Sequence, residues 1–199
     1  MKITAIKQQI KRPNRYSVFI DEKYCCSFSD SNLLTLGLRL GQELNESELA
    51  KLKSHAIQDK AHSRALDMLS RRMRSEWELR DYLKRKDYPP EVIDYTLERL
   101  KKRGYIDDRA FASAWVENRR LLKSTSKRKL QMELKQKRIV DSLIDEVLAA
   151  DATDEQMVLR QLIERKRLRY PDQLKLMRYL AGQGYQYDDI KAALATPEN

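Results

Sequence analysis

Residues 75–97 read SEWELRDYLKRKDYPPEVIDYTL, and the spacing inside this stretch decides the fold. A helix-capping residue comes first, and apolar residues follow at steps of four, four, five, five and four. The same spacing returns at residues 126–148 and 172–194. Fifteen apolar positions therefore keep one register: Leu79, Leu83, Tyr88, Ile93, Leu97; Leu130, Leu134, Ile139, Ile144, Leu148; Leu176, Leu180, Tyr185, Ile190, Leu194. Because the copies share few other residues, the spacing predicts a structural unit that occurs three times.

Each copy is typical of the second and third helices of a three-helix unit. Steps of four keep apolar residues on one helix face, since a turn takes 3.6 residues, and the steps of five cross the turns between helices. An apolar helix precedes each copy. We predict repeats at residues 61–108, 109–152 and 153–199. A unit of this size buries too little surface to be very stable alone, so we expect the repeats to stack into an elongated array.

The first 60 residues follow a different pattern. Polar and apolar residues alternate from Tyr16 to Ile20, and a polar turn at Asp21–Lys23 separates this run from a second one that ends at Phe28. This pattern predicts a β-hairpin within an element of two or three strands, which must rest on the helices or on a partner. Asn45 with Glu48 then predicts a capping box at the start of a longer helix, whose polar middle, SHAIQDKAHS, could hide a break.

Polar residues and glycines mark the predicted ends of the other helices. We expect Ser75, Ser126 and Asp172 to cap the second helices of the repeats. The remaining predicted caps and left-handed stops are Asp107 or Asp108, Asp141, Thr153, Gly104 and Gly184.

Bulk properties limit the class of protein and its partners. The chain carries a formal net charge of +10, which favours an acidic partner, nucleic acid being the commonest. No apolar run approaches the ~20 residues that cross a bilayer, and the first residues lack the pattern of a secretory signal. Cys25 and Cys26 are neighbours, which suits neither a metal site nor a disulfide framework. We therefore expect a cytoplasmic protein with no membrane partner.

The sequence offers little that could perform catalysis. It contains no phosphate-binding glycine loop, and His55 and His62 lack further ligands at metal-binding spacing, so we interpret them as structural or exposed. Asp107 and Asp108 could form an acid–base pair, but they follow a helix stop, which favours capping. We expect no enzymatic activity, no cofactor and no metal. Hydrolysis of a nucleotide or phosphodiester by the purified chain would revive the enzyme hypothesis.

Basic residues gather between the first and second helices of every repeat. If the repeats stack in parallel, these junctions line one edge and form a partner-binding basic stripe; for any single residue, an ordinary solvated charge is the alternative. Trp77, just after the Ser75 cap, is a possible aromatic contact for a partner, whereas we assign Trp115 to the core. The basic stripe is defined as Arg71, Arg72, Arg74, Arg80, Arg119, Arg120, Lys123, Lys127, Arg128, Lys129, Arg165, Lys166, Arg167 and Arg169.

Residues 65–120 closely resemble the RecX family of bacterial recombinase regulators. The resemblance is carried by RMRSEWELR from Arg72, by the turn at Lys86–Tyr88 and by RGYIDDRAFASAWV from Arg103, and it continues more weakly through KRKLQMELKQKRI. It implies a non-enzymatic protein that binds the RecA recombinase filament and alters its assembly, ATP hydrolysis and strand exchange. It also implies three-helix repeats in an array curved enough to lie in the groove of that filament.

Two residues depart from the family pattern. Asp87 and Arg138 stand where the family usually has glycine, and arginine tolerates a left-handed conformation less well than aspartate. The second turn could therefore be built differently. Taken together, the sequence and the resemblance predict a monomeric inhibitor of RecA. The alternative is a protein that binds single- or double-stranded DNA directly through the basic stripe.

Overall fold

The computed structural model describes residues 1–195 and is mainly helical, with an N-terminal β-sheet, as the sequence predicts. The chain divides into two compact units, the first covering Met1–Ile106 and the second beginning at Asp107.

The first unit opens with a three-stranded antiparallel sheet in the order β1-β2-β3. The predicted hairpin joins β2 and β3, and both residues of its turn, Asp21 and Glu22, have positive φ values of 45° and 65°. Such turns match the twist of paired strands. The inner face of the sheet packs on the next long helix. The strands are β1, Ile3–Gln9; β2, Arg12–Ile20; and β3, Lys23–Ser29.

A short helix, α1 (Asp30–Thr35), leads to α2 (Glu46–Leu69), which joins the sheet to the first repeat. Asn45 and Glu48 form the predicted capping box at the start of α2. The helix runs through its polar middle without a break. Asp59 explains the polarity there, because its carboxylate is buried against the guanidinium of Arg15 from β2, with Nη1 and Oδ2 3.0 Å apart.

Three groups of three helices follow one pattern, each around its own apolar core. The first group uses the end of α2, and the other two form the second unit. Thirteen of the fifteen spaced apolar positions are buried, while Tyr88 and Leu194 are half-buried. The helices are α3, Glu76–Lys84; α4, Pro90–Lys102; α5, Asp108–Lys123; α6, Lys127–Gln136; α7, Asp141–Ala150; α8, Glu155–Arg167; α9, Gln173–Gly182; and α10, Tyr187–Ala195.

Most predicted caps are confirmed, and two are wrong. Ser75, Ser126, Asp172 and Asp107 each accept a hydrogen bond from a backbone N–H in the first turn of the helix that follows. Two helix starts differ by one residue from the prediction. Val140, an apolar residue, precedes α7, so Asp141 is the first helical residue, and Asp154 rather than Thr153 caps α8 by accepting from the N–H groups of Gln156 and Met157.

The turns between the second and third helices are alike in all three repeats. Asp87, Arg138 and Gly184 hold the left-handed position, with φ values of 57°, 58° and 91°. In each turn the next residue donates its N–H to the carbonyl five residues back, which is the Schellman arrangement. The expectation that Arg138 changes the second turn is therefore wrong.

Candidate functional site

Arg120, in the middle of the predicted basic stripe, is a structural residue. Its side chain is 9% exposed, and Nη2 donates to Oδ2 of Asp151 at 2.7 Å while Nη1 donates to the carbonyl of Thr125 at 2.5 Å. Burial alone raises the pKa of the Asp151 carboxyl, but hydrogen bonds from Thr153 and Arg120 outweigh it and hold that pKa below its ordinary value. The ion pair thus fixes the end of α7 to the end of α5.

Arg119 is also engaged within its own repeat. Its Nε donates to Oε2 of Glu133 at 2.6 Å, and its guanidinium lies 4.5 Å from the centre of the Trp115 ring. The indole N–H of Trp115 donates to the same carboxylate oxygen at 2.8 Å. Trp115 packs against the core of the second repeat, as predicted, and the ammonium of Lys137 lies 5.2 Å from the centre of its ring.

Lys129 and Arg165 join the second repeat to the third. The Lys129 ammonium donates to the carbonyl of Gly182 at 2.7 Å, and the Arg165 guanidinium donates to the hydroxyl of Ser124. The backbone makes the same connection, because Ser126 donates its N–H to the carbonyl of Gln183 at 3.3 Å. These contacts stack the α9–α10 turn on the N-terminus of α6.

A buried tyrosine completes that junction. The hydroxyl of Tyr185 donates to the carbonyl of Ser124 at 3.0 Å, and burial raises the pKa of Tyr185 to about 12. Ser124 itself ends α5 in a left-handed conformation with a φ of 48°.

In the first repeat, two of the four basic stripe residues form ion pairs. Arg72 binds Glu78 with Nη2 and Oε1 2.9 Å apart, and Arg80 bridges Glu76 and Asp94. Burial lowers the pKa of the half-buried Arg74 guanidinium. Trp77 is 38% exposed.

The basic stripe therefore contains two kinds of residue. Some are held by contacts within a repeat or between two repeats, and others extend into solvent without taking part in those contacts. Lys127 and Lys166 are half-buried, and the remaining members project from the surface: Arg71, Lys123, Arg128, Arg167 and Arg169.

In the second unit the structure brings the junctions of the second and third repeats to one place. They meet around a cavity of about 420 Å³ whose wall includes Lys123, Lys129, Arg165 and Lys166. The basic stripe residues of the first repeat belong to the other unit. Exposed leucines accompany the cations, and sequence analysis missed them although they stand next to basic residues in the chain: Leu121, Leu122 and Leu168.

The two histidines differ in their exposure to solvent. His62 is buried, and burial, followed by the charges of Arg99 and Arg103, lowers its pKa to about 4, whereas His55 is exposed. Burial raises the pKa of the Cys26 thiol to about 12.

Residues 1–195 contain no cluster of His, Cys, Asp or Glu able to hold a metal ion. None of the helices within that range is long and apolar enough to span a membrane.

Comparisons with known proteins identify the same family over most of the chain. Three family models match: the RecX N-terminal domain at residues 1–45, the first RecX three-helix domain at 61–100 and the second at 107–148. The regulatory protein RecX of Bacillus velezensis is 34% identical over 98% of this chain and 77% of its own length.

A second relative and a solved structure agree with this result. The regulatory protein RecX of Listeria welshimeri is 36% identical, over 79% of this chain and 58% of that protein. A crystal structure of a regulatory protein RecX superimposes with a TM-score of 0.72 at 30% identity and covers 96% of this chain and 98% of the other.

Proposed function

Because this chain belongs to the RecX family of regulatory proteins, we propose that it binds the filament of the RecA recombinase and inhibits it. The proposed effect is on filament assembly, ATP hydrolysis and strand exchange, and it requires no chemistry by the chain itself. The observation that carries the proposal is the similarity to regulatory proteins named RecX over nearly the whole chain. We propose that the chain acts as a monomer in the cytoplasm, with residues 61–108, 109–152 and 153–199 as its repeats.

We assign the contact with the filament to the exposed members of the basic stripe. Arg71, Arg128 and Arg169 supply one exposed cation from each repeat, and Arg169 lies 5.9 Å from the centre of the Tyr170 ring. Such residues can meet acidic side chains of the recombinase or phosphates of filament DNA without disturbing the fold. Exposed leucines beside them, above all Leu168 at 96% exposure, add apolar area of the kind that protein interfaces bury.

The proposal predicts the behaviour of a variant in which these three cations are reversed. We expect R71E/R128E/R169E to need at least about tenfold more protein to halve the DNA-dependent ATPase of RecA, because reversal replaces attraction by repulsion at three contacts. The measurement is a titration of RecA ATPase on single-stranded DNA with wild-type and variant chains.

A matched control distinguishes the effect of reversing these three residues from the effect of lowering the net charge. Lys86, Arg138 and Arg178 are exposed cations of the same three repeats and lie outside the basic stripe. K86E/R138E/R178E changes the net charge by the same amount and should inhibit like the wild type. Equal inhibition by all three proteins would remove the exposed basic stripe residues from the mechanism.

Direct binding to DNA is the second candidate function, favoured by the net charge of +10. A protein that makes six to ten phosphate contacts loses affinity by roughly 10³ to 10⁵ between 50 and 200 mM salt. Inhibition of RecA that persists at the higher salt, where binding to bare DNA has gone, supports the filament as the target. Inhibition that disappears together with DNA binding supports the second candidate.

A further inference from the structure

The cavity between the second and third repeats carries a strong positive charge. Its wall contains four basic side chains, from Lys123, Lys129, Arg165 and Lys166, and one carboxylate, from Glu133. That carboxylate already accepts hydrogen bonds from Arg119 and from the indole of Trp115. The cavity wall therefore has more positive than negative side chains.

The intramolecular contacts of these cations leave donors available. Lys129 has three N–H donors and gives two of them, to the carbonyl of Gly182 and to Oε1 of Gln183. Arg165 has five and gives two, to the Gln161 carbonyl and the Ser124 hydroxyl. These contacts fix the positions of the two side chains, so that their remaining donors are held in place at the cavity.

Lys166 and Lys123 are held less tightly. The ammonium of Lys166 lies 5.6 Å from the centre of the Tyr179 ring, a cation–π contact that keeps all three N–H donors. Lys123 is exposed at the end of α5. Both can turn towards a ligand at little cost in stability.

Thr125 adds a polar residue to the cavity wall. The residue is 1% exposed, and no group in residues 1–195 forms a hydrogen bond with its hydroxyl. A buried hydroxyl without a partner costs free energy, and such groups are rare in folded proteins.

We propose that this cavity binds a phosphate group. Lysine and arginine side chains are the donors that bind phosphate oxygens, and the cavity volume of about 420 Å³ lies within the range of small-molecule sites. The phosphate group comes either from a free phosphate compound or from the backbone of a nucleic acid. The site needs no recombinase, so its test is independent of the proposed function.

The test removes the two cations that do not hold the repeats together. Isothermal titration calorimetry with inorganic pyrophosphate, and separately with an oligothymidylate, compares the wild type with K123Q/K166Q. We expect the variant to bind at least one of these ligands about tenfold more weakly or worse, since charge-assisted hydrogen bonds are stronger than neutral ones. Far-UV circular dichroism confirms that the variant is folded.

The control is R160Q/R178Q, which removes two exposed cations from α8 and α9 outside the cavity and should bind like the wild type. Weaker binding of pyrophosphate alone identifies a free phosphate compound as the ligand, and weaker binding of the oligonucleotide identifies a nucleic acid backbone. Absence of binding by the wild type to both ligands overturns the proposal. Equal binding by the cavity variant and the control variant also overturns it.

Discussion

Arg120 and Arg128 are eight residues apart in sequence and belong to the same predicted stripe, yet their environments are opposite. Arg120 is buried and fixed by Asp151, whereas Arg128 projects from α6 into solvent. A buried charge that loses its partner destabilises a protein strongly, while an exposed charge contributes little. We therefore expect the same substitution to change the free energy of unfolding by different amounts at the two positions.

Arg120→Ala should lower the free energy of unfolding by about 3–5 kcal/mol, because it removes the positive charge that pairs with the Asp151 carboxylate and the donor that satisfies the Thr125 carbonyl. Urea denaturation followed by circular dichroism measures this change.

Arg128→Ala is the control, and it should stay within about 0.5 kcal/mol of the wild type, as surface substitutions usually do. A small effect of Arg120→Ala, equal to that of the control, would mean that the buried ion pair does not hold the second unit together.

At the scale of elements, the turn that ends the second helix differs between repeats in what it touches. Arg138 holds the left-handed position in solvent, whereas Gly184 at the equivalent place packs against α6. A Cβ atom on Gly184 would collide with the Ser126 hydroxyl and lie 2.8 Å from the Cβ of Lys129. The glycine is required there by contact between repeats as well as by backbone conformation.

Gly184→Ala should loosen the junction of the second and third repeats. The α9–α10 turn must move away from the N-terminus of α6, so the Ser126 N–H loses its bond to the Gln183 carbonyl and exchanges faster with solvent. Hydrogen exchange measured on peptides covering residues 124–130 reports this directly.

Gly104→Ala provides the comparison, because Gly104 has a φ of 71° and an added Cβ would meet nothing within 4 Å. That variant carries only the backbone strain, about 1–2 kcal/mol, while Gly184→Ala adds the cost of overpacking, about 1–3 kcal/mol more. Unchanged exchange at residues 124–130 in Gly184→Ala would contradict the packing described for this turn.

At the scale of the whole molecule, structural features that depend on residues close together in the sequence were predicted well. Helix faces, most caps and the left-handed stops at Gly104 and Gly184 follow from spacings of three to five residues, and the structure confirms them. The error at Thr153 arose because two adjacent residues, Thr153 and Asp154, can both cap a helix. The presence of a basic junction in each repeat was visible as well.

Contacts between distant residues could not be predicted. The partner of Arg120 lies 31 residues further along, and the partner of Arg15 lies in another element, so no local pattern marks either pair. The sequence therefore could not separate the cations that hold the repeats together from those that reach solvent. The phosphate cavity escaped notice for the same reason, since it forms only where two repeats meet.

Sedimentation with assembled RecA filaments tests the proposed function most directly. At 200 mM salt we expect the wild type and K86E/R138E/R178E to pellet with filaments but to stay in solution with bare DNA, and R71E/R128E/R169E to stay in solution with both. A wild-type chain that remains in the supernatant with filaments, or that pellets equally well with bare DNA, would contradict the filament as the target.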